Sequence, residues 1–285
     1  MFCICRFIFK IKHIKGYTIK NKRFKFTGLV SALIFGELSM SKYTYKKMLK
    51  YSTMKDYDNA LKYAHRSLIS DLKLYNKDDI EIATNYNNIG FFYKKLGQNI
   101  KALEYYNKAL SIQSNICLSA ESEEIAVSYN NIGSVYHNLC EYSKALDYYD
   151  KALKIQEGLQ KQSRLDIAII YNNMGTSYRE QGNMQEALDY HKKALLIREH
   201  VLGKGSLVTA MSYHNVSTIY GSIGALYEAL KYARISLRIR KIILGLEHYD
   251  TKESDFGLNL LIEKIEQAKR ESKFDCFSKS MNTLA

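Results

Sequence analysis

The sequence predicts an all-α fold, a solenoid of antiparallel helix pairs, from two repeated motifs and a helical periodicity. Tyr-Asn-Asn, then an aliphatic residue and Gly, recurs at steps of 43, 42 and 42 residues, beginning at Tyr86, Tyr129, Tyr171 and, more loosely, Tyr213. Ala-Leu recurs at similar steps, beginning at Ala60, Ala102, Ala145, Ala187 and Ala229. A fixed step in this range indicates a repeat array, in which each unit packs against its neighbours.

Each repeat contains two helical faces separated by a short break. In the unit from Ile125 to Glu157, residues that recur at three- and four-residue steps share one helix face and predict helix A. They are Ala126, Tyr129, Ile132, Gly133 and Tyr136. A second face follows and forms helix B, through Tyr142, Ala145, Leu146, Tyr149, Ala152 and Leu153. The recurring Gly in helix A costs about 1 kcal/mol relative to Ala, so it predicts a close approach of helix B.

The repeat step places five units within residues 41–251, at about 41–76, 80–118, 122–160, 164–202 and 206–245. Residues 252–270 have an apolar stripe among charged residues, which predicts a helix that caps the array. Residues 271–285 have no periodicity, and we expect a flexible tail there. Proline is absent from the chain, so Gly and polar loops must end the helices.

The first forty residues differ from the repeats. Residues 1–25 hold eight Lys or Arg and no acidic residue, and residues 26–35 form an apolar run too short to cross a bilayer. Three interpretations stay open: a targeting or membrane-surface segment, a disordered basic arm, or a gene-model extension with initiation at Met40. Membrane contact is expected only through residues 1–40. Much of the net charge of +13 also lies there.

The five cysteines are scattered and odd in number, without the paired spacing of a disulfide framework or a zinc site. This pattern favours a reducing compartment, and we expect a cytoplasmic protein. Cys117 and Cys140 lie within the helical repeats, where buried, inert thiols are expected.

The residues of the third unit carry a family resemblance. Tyr129, Ile132, Gly133 and Tyr136, followed by Ala145, Tyr149 and Ala152, resemble the tetratricopeptide repeat. The step of 42 residues, the paired Asn and the stretch from Leu244 to His248 are similar to the repeats of kinesin light chains. The resemblance covers about residues 43–270 and implies a right-handed superhelix with a concave groove lined by helix A. The last full unit departs from the pattern, with Ser217 for Gly and Ala233 for the aromatic residue.

The resemblance implies a peptide-binding groove formed by helix A residues that packing does not use. They are Asn87, Asn88, Phe91, Lys94, Asn130, Asn131, Ser134, His137, Asn172, Asn173, Thr176, Arg179, His214, Asn215 and Thr218. Asn opposes helix propensity, so its repetition indicates a use. In kinesin-light-chain-like repeats the second Asn of each motif would bind the backbone of an extended peptide. The alternative is that the Asn side chain makes a hydrogen bond with the neighbouring repeat. This alternative is favoured more strongly for the first Asn of the motif than for the second.

The charge of the groove favours an acidic peptide or a terminal carboxylate, because its first half has a positive balance. That balance comes from Lys46, Lys94, Lys95, His137 and Arg179. Ordinary solvated lysines are the competing interpretation.

No Ser-His-Asp, Cys-His or metal-ligand cluster occurs at a mechanistic spacing, so we expect no enzyme activity, no cofactor and no small-molecule substrate. The sequence favours a non-catalytic scaffold or adaptor that binds a protein or peptide. The runner-up is an appendage or fragment of a larger protein that carries a catalytic domain. RNA binding is the weaker alternative, because the repeated Tyr occupy packing positions and much of the charge lies outside the array.

Overall fold

The computed structural model describes residues 28–116, 122–159 and 163–282, with side chains described for 36–116, 122–159 and 163–271. These residues form eleven α-helices and no β-strand. Neighbouring helices pair as antiparallel hairpins, so the predicted all-α solenoid class is confirmed. The helices divide into two compact blocks on either side of residue 160, here called the N-terminal and the C-terminal block.

The N-terminal block contains three hairpins. Its helices are α1 (Gly28–Thr53), α2 (Tyr57–Leu74), α3 (Ile80–Lys95), α4 (Asn99–Ile116), α5 (Glu123–Asn138) and α6 (Tyr142–Gly158). Helices α1 and α2, α3 and α4, and α5 and α6 form the hairpins, and α2 and α4 also pack against the hairpin that follows each of them. Ile82, Ile89 and Phe92 lie in one apolar core cluster of this block.

The C-terminal block contains two hairpins and a final helix. Its helices are α7 (Arg164–Glu180), α8 (Met184–Leu202), α9 (Leu207–Ser222), α10 (Leu226–Leu244) and α11 (Tyr249–Asn282). Helix α8 packs on α9, and α10 packs on α11. Leu195, Val216 and Ile219 lie in an apolar core cluster of this block. The assignment of each hairpin to one repeat unit stays a prediction.

Two helix ends differ from the sequence prediction. Helix α1 begins at Gly28, inside the segment that was set apart from the repeats, and α11 continues to Asn282 instead of ending at residue 270. Residues 271–282 are therefore helical, not a tail without secondary structure. The chain has no Pro, and no Gly follows Gly257, so nothing in the sequence stops this last helix. Predictions about residues 1–27 and about Cys117 lie outside the described residues.

The predicted close approach of helix B to the glycines of helix A is confirmed, and the approaching group is an aromatic ring. A Cβ atom on Gly90 would lie 2.9 Å from ring carbons of Tyr106, and one on Gly133 would lie 2.7 Å from Cε1 of Tyr149. On Gly175 it would lie 3.0 Å from the ring of His191. Any side chain at these positions would displace the ring, so glycine is the residue that fits.

A stacked pair of tyrosines joins the two helices of each of the five hairpins. The ring centroids lie 5.3 to 5.7 Å apart, and the planes differ by 8 to 23°, in the pairs Tyr51–Tyr63, Tyr93–Tyr105, Tyr136–Tyr148, Tyr178–Tyr190 and Tyr220–Tyr232. Offset stacking at this separation stabilises aromatic pairs beyond the area that they bury. These tyrosines are committed to packing within their hairpins.

Buried polar contacts link a hairpin to the next hairpin, or to the final helix, within each block. In the N-terminal block Asn85 donates to Asp71 at 2.7 Å, and Ser128 donates to Gln113 at 2.7 Å. In the C-terminal block the guanidinium groups of Arg198 and Arg240 donate at 2.6 Å to the hydroxyls of Ser212 and Ser254, respectively. Pairing is required because an unpaired buried polar group is costly.

The turns between helix A and helix B need a residue in the left-handed region. Gly97, Gly182 and Gly224 supply it with φ of 74°, 84° and 80°. At the equivalent places Lys55 and Cys140 adopt φ of 57° and 60°, which costs a residue with a Cβ atom about 1 kcal/mol or more. The Cys140 thiol is exposed in this turn, so the expectation of a buried thiol was wrong for it.

Candidate functional site

The predicted groove residues lie on the first helix of four hairpins. Fourteen of the fifteen are half-buried and Thr218 is exposed. In the N-terminal block they are Asn87, Asn88, Phe91 and Lys94 on α3, with Asn130, Asn131, Ser134 and His137 on α5. In the C-terminal block they are Asn172, Asn173, Thr176 and Arg179 on α7, with His214, Asn215 and Thr218 on α9.

The first Asn of the motif makes contacts between neighbouring hairpins. Asn87 Nδ2 lies 3.1 Å from the Ser128 hydroxyl, which lies 3.2 Å from Asn87 Oδ1. In the C-terminal block the Asn172 side-chain oxygen accepts a hydrogen bond of 2.8 Å from Asn215 Nδ2. Asn87 and Asn172 therefore take part in packing of the protein itself, as the alternative interpretation of the first Asn predicts.

The second Asn behaves differently in the N-terminal block. The side-chain amides of Asn88 and Asn131 make no hydrogen bond with any residue in the described part of the chain. Each amide offers a donor and an acceptor on a half-buried helix face. In the C-terminal block Asn215 has one donor engaged by Asn172, and Asn173 also has a partner. The two unengaged amides thus lie on α3 and α5.

Lys94 lies between these two helices. Its Nζ donates to the Ser134 hydroxyl at 2.7 Å, and no carboxylate pairs with it within the described residues. Burial lowers the pKa of Lys94 to about 8, and the charge of Lys95 adds to the shift. Phe91 lies beside both lysines, with its ring centroid 5.9 Å from Lys94 Nζ and 5.4 Å from Lys95 Nζ. The site holds a cation that water solvates poorly, next to an aromatic ring.

The other predicted cations contribute less to the positive charge of the predicted groove. Arg179 forms an ion pair of 2.6 Å with Glu180, so a nearby carboxylate offsets its charge. The ring of His137 lies 5.3 Å from that of Tyr142, and Lys46 is exposed to solvent. The positive character predicted for the groove is therefore concentrated at Lys94 and Lys95.

The sequence reasoning missed a cavity of about 320 Å³ in the C-terminal block, between α9, α10 and α11. His214 and Thr218, two predicted groove residues, line one side of it. Ser217 and Ala233 also line it, and these are the residues that break the Gly and aromatic pattern in the fifth hairpin. That departure was a usable signal, because a small residue in place of a ring leaves space.

Neither metal binding nor membrane crossing finds support among the described residues. No three His, Cys, Asp or Glu side chains in those ranges gather closely enough to hold a metal ion. None of the described helices combines the length and the apolar character that crossing a membrane requires.

Comparison with known proteins identifies the repeats. Residues 81–158 and 166–242 match the model of the tetratricopeptide repeat family. The chain belongs to this family. No curated protein matches the sequence. Tetratricopeptide repeats are typically non-catalytic and serve in general as scaffolds for protein interactions.

Solved structures with the same fold include kinesin-light-chain-like proteins. BtubC (BKLC) from P. vanneervenii superimposes with a TM-score of 0.59 at 21% identity, covering 76% of this chain and 92% of that one. A putative kinesin light chain from Podosopora anserina with nearly identical TPR-like repeats gives 0.55 at 16% identity, covering 70% and 94%. Aspartyl phosphate phosphatase F from Bacillus subtilis gives 0.64 at 15% identity, covering 95% and 73%. At these identities the likeness concerns the fold.

Proposed function

We propose that the protein is a non-catalytic interaction module that binds an extended peptide along α3 and α5, the first helices of two hairpins of the N-terminal block. The observation that carries the proposal is the pair of unengaged amides on Asn88 and Asn131. Both side chains are half-buried, and their amides find no partner among the described residues. The backbone of an extended peptide supplies both the donors and the acceptors that an amide needs.

The contrast between the two Asn of the motif supports this proposal. Asn87 sits one residue before Asn88 and bonds Ser128, whereas Asn88 bonds nothing in the described ranges. If the Asn-Asn pair were copied with each repeat for packing alone, both amides would be expected to have partners. In the N-terminal block, one Asn for packing and one for the ligand accounts for the difference.

The charge of the site supports the proposal of an acidic segment as the ligand. Lys94 and Lys95 lie beside Phe91, and no carboxylate of the described chain pairs with Lys94. A carboxylate from a ligand would accept a charge-assisted hydrogen bond from Lys94, which is stronger than a neutral one. We therefore propose that the bound peptide carries an acidic residue that reaches Lys94.

The test is selection from a displayed library of random peptides with the full chain, followed by affinity measurements on the enriched peptides. The variant N88A/N131A should bind them about tenfold or more weakly, since each lost hydrogen bond contributes about 1 kcal/mol. The matched control is N107A/N115A, which removes two exposed Asn from α4. Equal affinity for both double variants, with equal helicity, would contradict peptide binding through the second Asn.

A further inference from the structure

The outer face of α1 is open, although the equivalent face of α3 is buried. Four residues of this outer face lie 42 positions before four buried residues of α3. They are Met40, Tyr43, Lys47 and Lys50, which correspond to Ile82, Asn85, Ile89 and Phe92. On α3 this face packs on the preceding hairpin, where Asn85 donates to Asp71. On α1, Met40 and Tyr43 are 51% and 52% exposed, so within the described residues the face is accessible to a partner.

The charge of α1 is of one sign. Every charged residue of this helix after Glu37 is a lysine, and Glu37 itself is paired with Lys73 at 2.7 Å. Three exposed lysines recur at four-residue steps and so form one stripe along the helix. This lysine stripe consists of Lys42, Lys46 and Lys50. The sequence before α1 has the same sign, because residues 1–25 hold eight Lys or Arg and no acidic residue.

A helix at the end of a block does not need charges of one sign in order to face water. Between residues 249 and 271, α11 exposes four acidic and four basic side chains. They are Glu253, Glu263, Glu266, Glu271, Lys252, Lys264, Lys269 and Arg270. Like charges four residues apart destabilise a helix, so the lysine stripe of α1 opposes folding slightly. An anionic partner would account for it.

Apolar side chains lie among these lysines and favour a membrane surface over a nucleic acid. Met40, Tyr43, Tyr45 and Leu49 are each about half exposed. Contacts with nucleic-acid phosphates need cations and hydrogen-bond donors, and Met and Leu supply neither. Tyrosine, in contrast, is enriched where a bilayer meets water, and lysine lays its alkyl chain along apolar surface while its ammonium group stays in water.

Helix α1 also extends beyond its partner in the hairpin. Glu37 pairs with Lys73, which is next to the last residue of α2, so residues 28–36 continue past the end of α2. Six of the seven residues from 29 to 35 are apolar residue types. Seven residues of helix span only about 10 Å, which is too short to cross a bilayer but comparable to the depth at which surface helices lie.

We propose that α1 binds the surface of an anionic phospholipid bilayer through its outer face and its lysine stripe. The lysines meet the negative headgroups, and Met40 and Tyr43 enter the boundary between headgroups and acyl chains. The membrane-surface interpretation of the first forty residues is thereby extended to the described part of α1. The inference does not rest on the proposed function, because the peptide surface lies on α3 and α5.

The first test is sedimentation of the full chain with vesicles of phosphatidylcholine that contain about one third phosphatidylserine. The chain should bind these vesicles, bind phosphatidylcholine alone at least about tenfold more weakly, and be released as the salt concentration rises. Each lysine near an anionic surface contributes about fivefold to binding, so K46Q/K50Q should bind about 25-fold more weakly. The matched control K252Q/K264Q removes two exposed lysines from α11 and should change binding less than about twofold.

The second test separates a bilayer from other polyanions. The variant M40S/Y43S keeps every lysine and should bind the anionic vesicles about tenfold more weakly, because two apolar side chains no longer leave water. Its affinity for heparin, a soluble polyanion, should equal that of the natural chain. Both variants change exposed residues of α1, and equal helicity by circular dichroism establishes that each is folded.

The outcomes decide the inference in either direction. Absence of binding to the anionic vesicles, or equal binding of K46Q/K50Q and K252Q/K264Q, would overturn α1 as the membrane surface. Vesicle binding that M40S/Y43S retains in full, together with tighter binding of a mixed-sequence RNA, would make the face a nucleic-acid site instead. The variant N88A/N131A should bind vesicles like the natural chain while losing peptide affinity, so failure of one proposal leaves the other standing.

Discussion

The ring of Tyr149 lies directly against Gly133, so close that a Cβ atom on Gly133 would be 2.7 Å from Cε1 of the ring. The backbone oxygen of Ala145 would be 3.1 Å from the same Cβ. Gly133 is mid-helix, where Ala would otherwise favour the helix by about 1 kcal/mol. The close contact therefore decides which residue this position accepts.

Gly133→Ala should destabilise the protein by about 1 to 3 kcal/mol despite the gain in helix propensity, because the ring must leave its place in a packed core. Thermal unfolding followed by circular dichroism measures the change. The double change G133S/Y149A copies the Ser217 and Ala233 pair of the fifth hairpin. Its loss of unfolding free energy should be smaller than the sum of the losses in Gly133→Ser and Tyr149→Ala, because the side chain at position 133 then meets no ring. A loss equal to that sum would contradict a shared contact.

Stability should depend on pH through His191. Burial, with smaller contributions from the charges of Arg179 and Arg198, lowers the pKa of His191 to about 4, against about 6.5 in an unfolded chain. Between these values the unfolded state binds the extra proton, so stability falls as the pH drops from about 6.5 to about 4. The loss attributable to His191 is at most about 3 kcal/mol.

The variant His191→Phe isolates this effect, because the buried ring nitrogens, which have no partner among the described residues, are replaced by carbon. Its unfolding free energy should fall less than that of the natural chain over the same pH window. Tyr149→Phe, at the equivalent place in the N-terminal block, should leave the pH profile unchanged. Parallel profiles for the His191→Phe variant and the natural chain would show that His191 titrates normally.

Cys140→Gly should stabilise the protein by about 0.5 to 1 kcal/mol. Cys140 holds φ of 60° in a turn where three other hairpins have Gly, and the relief of this strain exceeds the extra entropy that Gly loses on folding. Gly182→Ala, at φ of 84°, is the reciprocal change and should destabilise. Denaturant midpoints give both values, and a loss of stability in the Cys140→Gly variant would contradict a strained turn.

Affinity for an acidic peptide should weaken as the pH rises from about 7 to 9.5. The pKa of Lys94 is about 8 in the free protein, so the cation that receives the carboxylate is lost over this range. Binding raises that pKa and takes up a proton, which favours the complex at the lower pH. Titration calorimetry in two buffers of different ionisation enthalpy measures the proton uptake.

The variant Lys94→Gln should bind the peptide with a nearly flat pH profile over that range. Lys95→Gln, which removes the exposed neighbouring charge, should keep the pH dependence. A variant Lys94→Gln that retains the full profile would place the titrating group elsewhere. The same peptide with its acidic residues changed to amides should bind without proton uptake.

The sequence was sufficient to predict the helical hairpins and the close contact at the repeated glycines, because these depend on the same residue types recurring at one spacing. Gly90 and Tyr106 recur as Gly133 and Tyr149, and a residue type that recurs at a fixed spacing can be recognised in the sequence alone. The family resemblance agreed with this pattern and supplied the interpretation of the paired Asn, which stays a prediction for the ligand.

The buried polar contacts could not be predicted in the same way. Their partners change from hairpin to hairpin, as Asp71 with Asn85 becomes Gln113 with Ser128 and then Arg198 with Ser212. The position of the contact recurs but the residue types do not, so no sequence motif identifies the contact. The end of α11 was also missed, because hydrophobic periodicity fades before the helix does.

The stacked tyrosine pairs give each hairpin an intrinsic chromophore. The chain contains 24 tyrosines and no tryptophan, so its near-ultraviolet signal arises chiefly from tyrosine and phenylalanine. In each of the five hairpins two phenol rings lie within 5.7 Å and nearly parallel, which couples their electronic transitions. Melting of one hairpin would uncouple one pair and leave the others coupled. The loss of stacked pairs as the array unfolds can then be followed by light absorption alone, without an added chromophore.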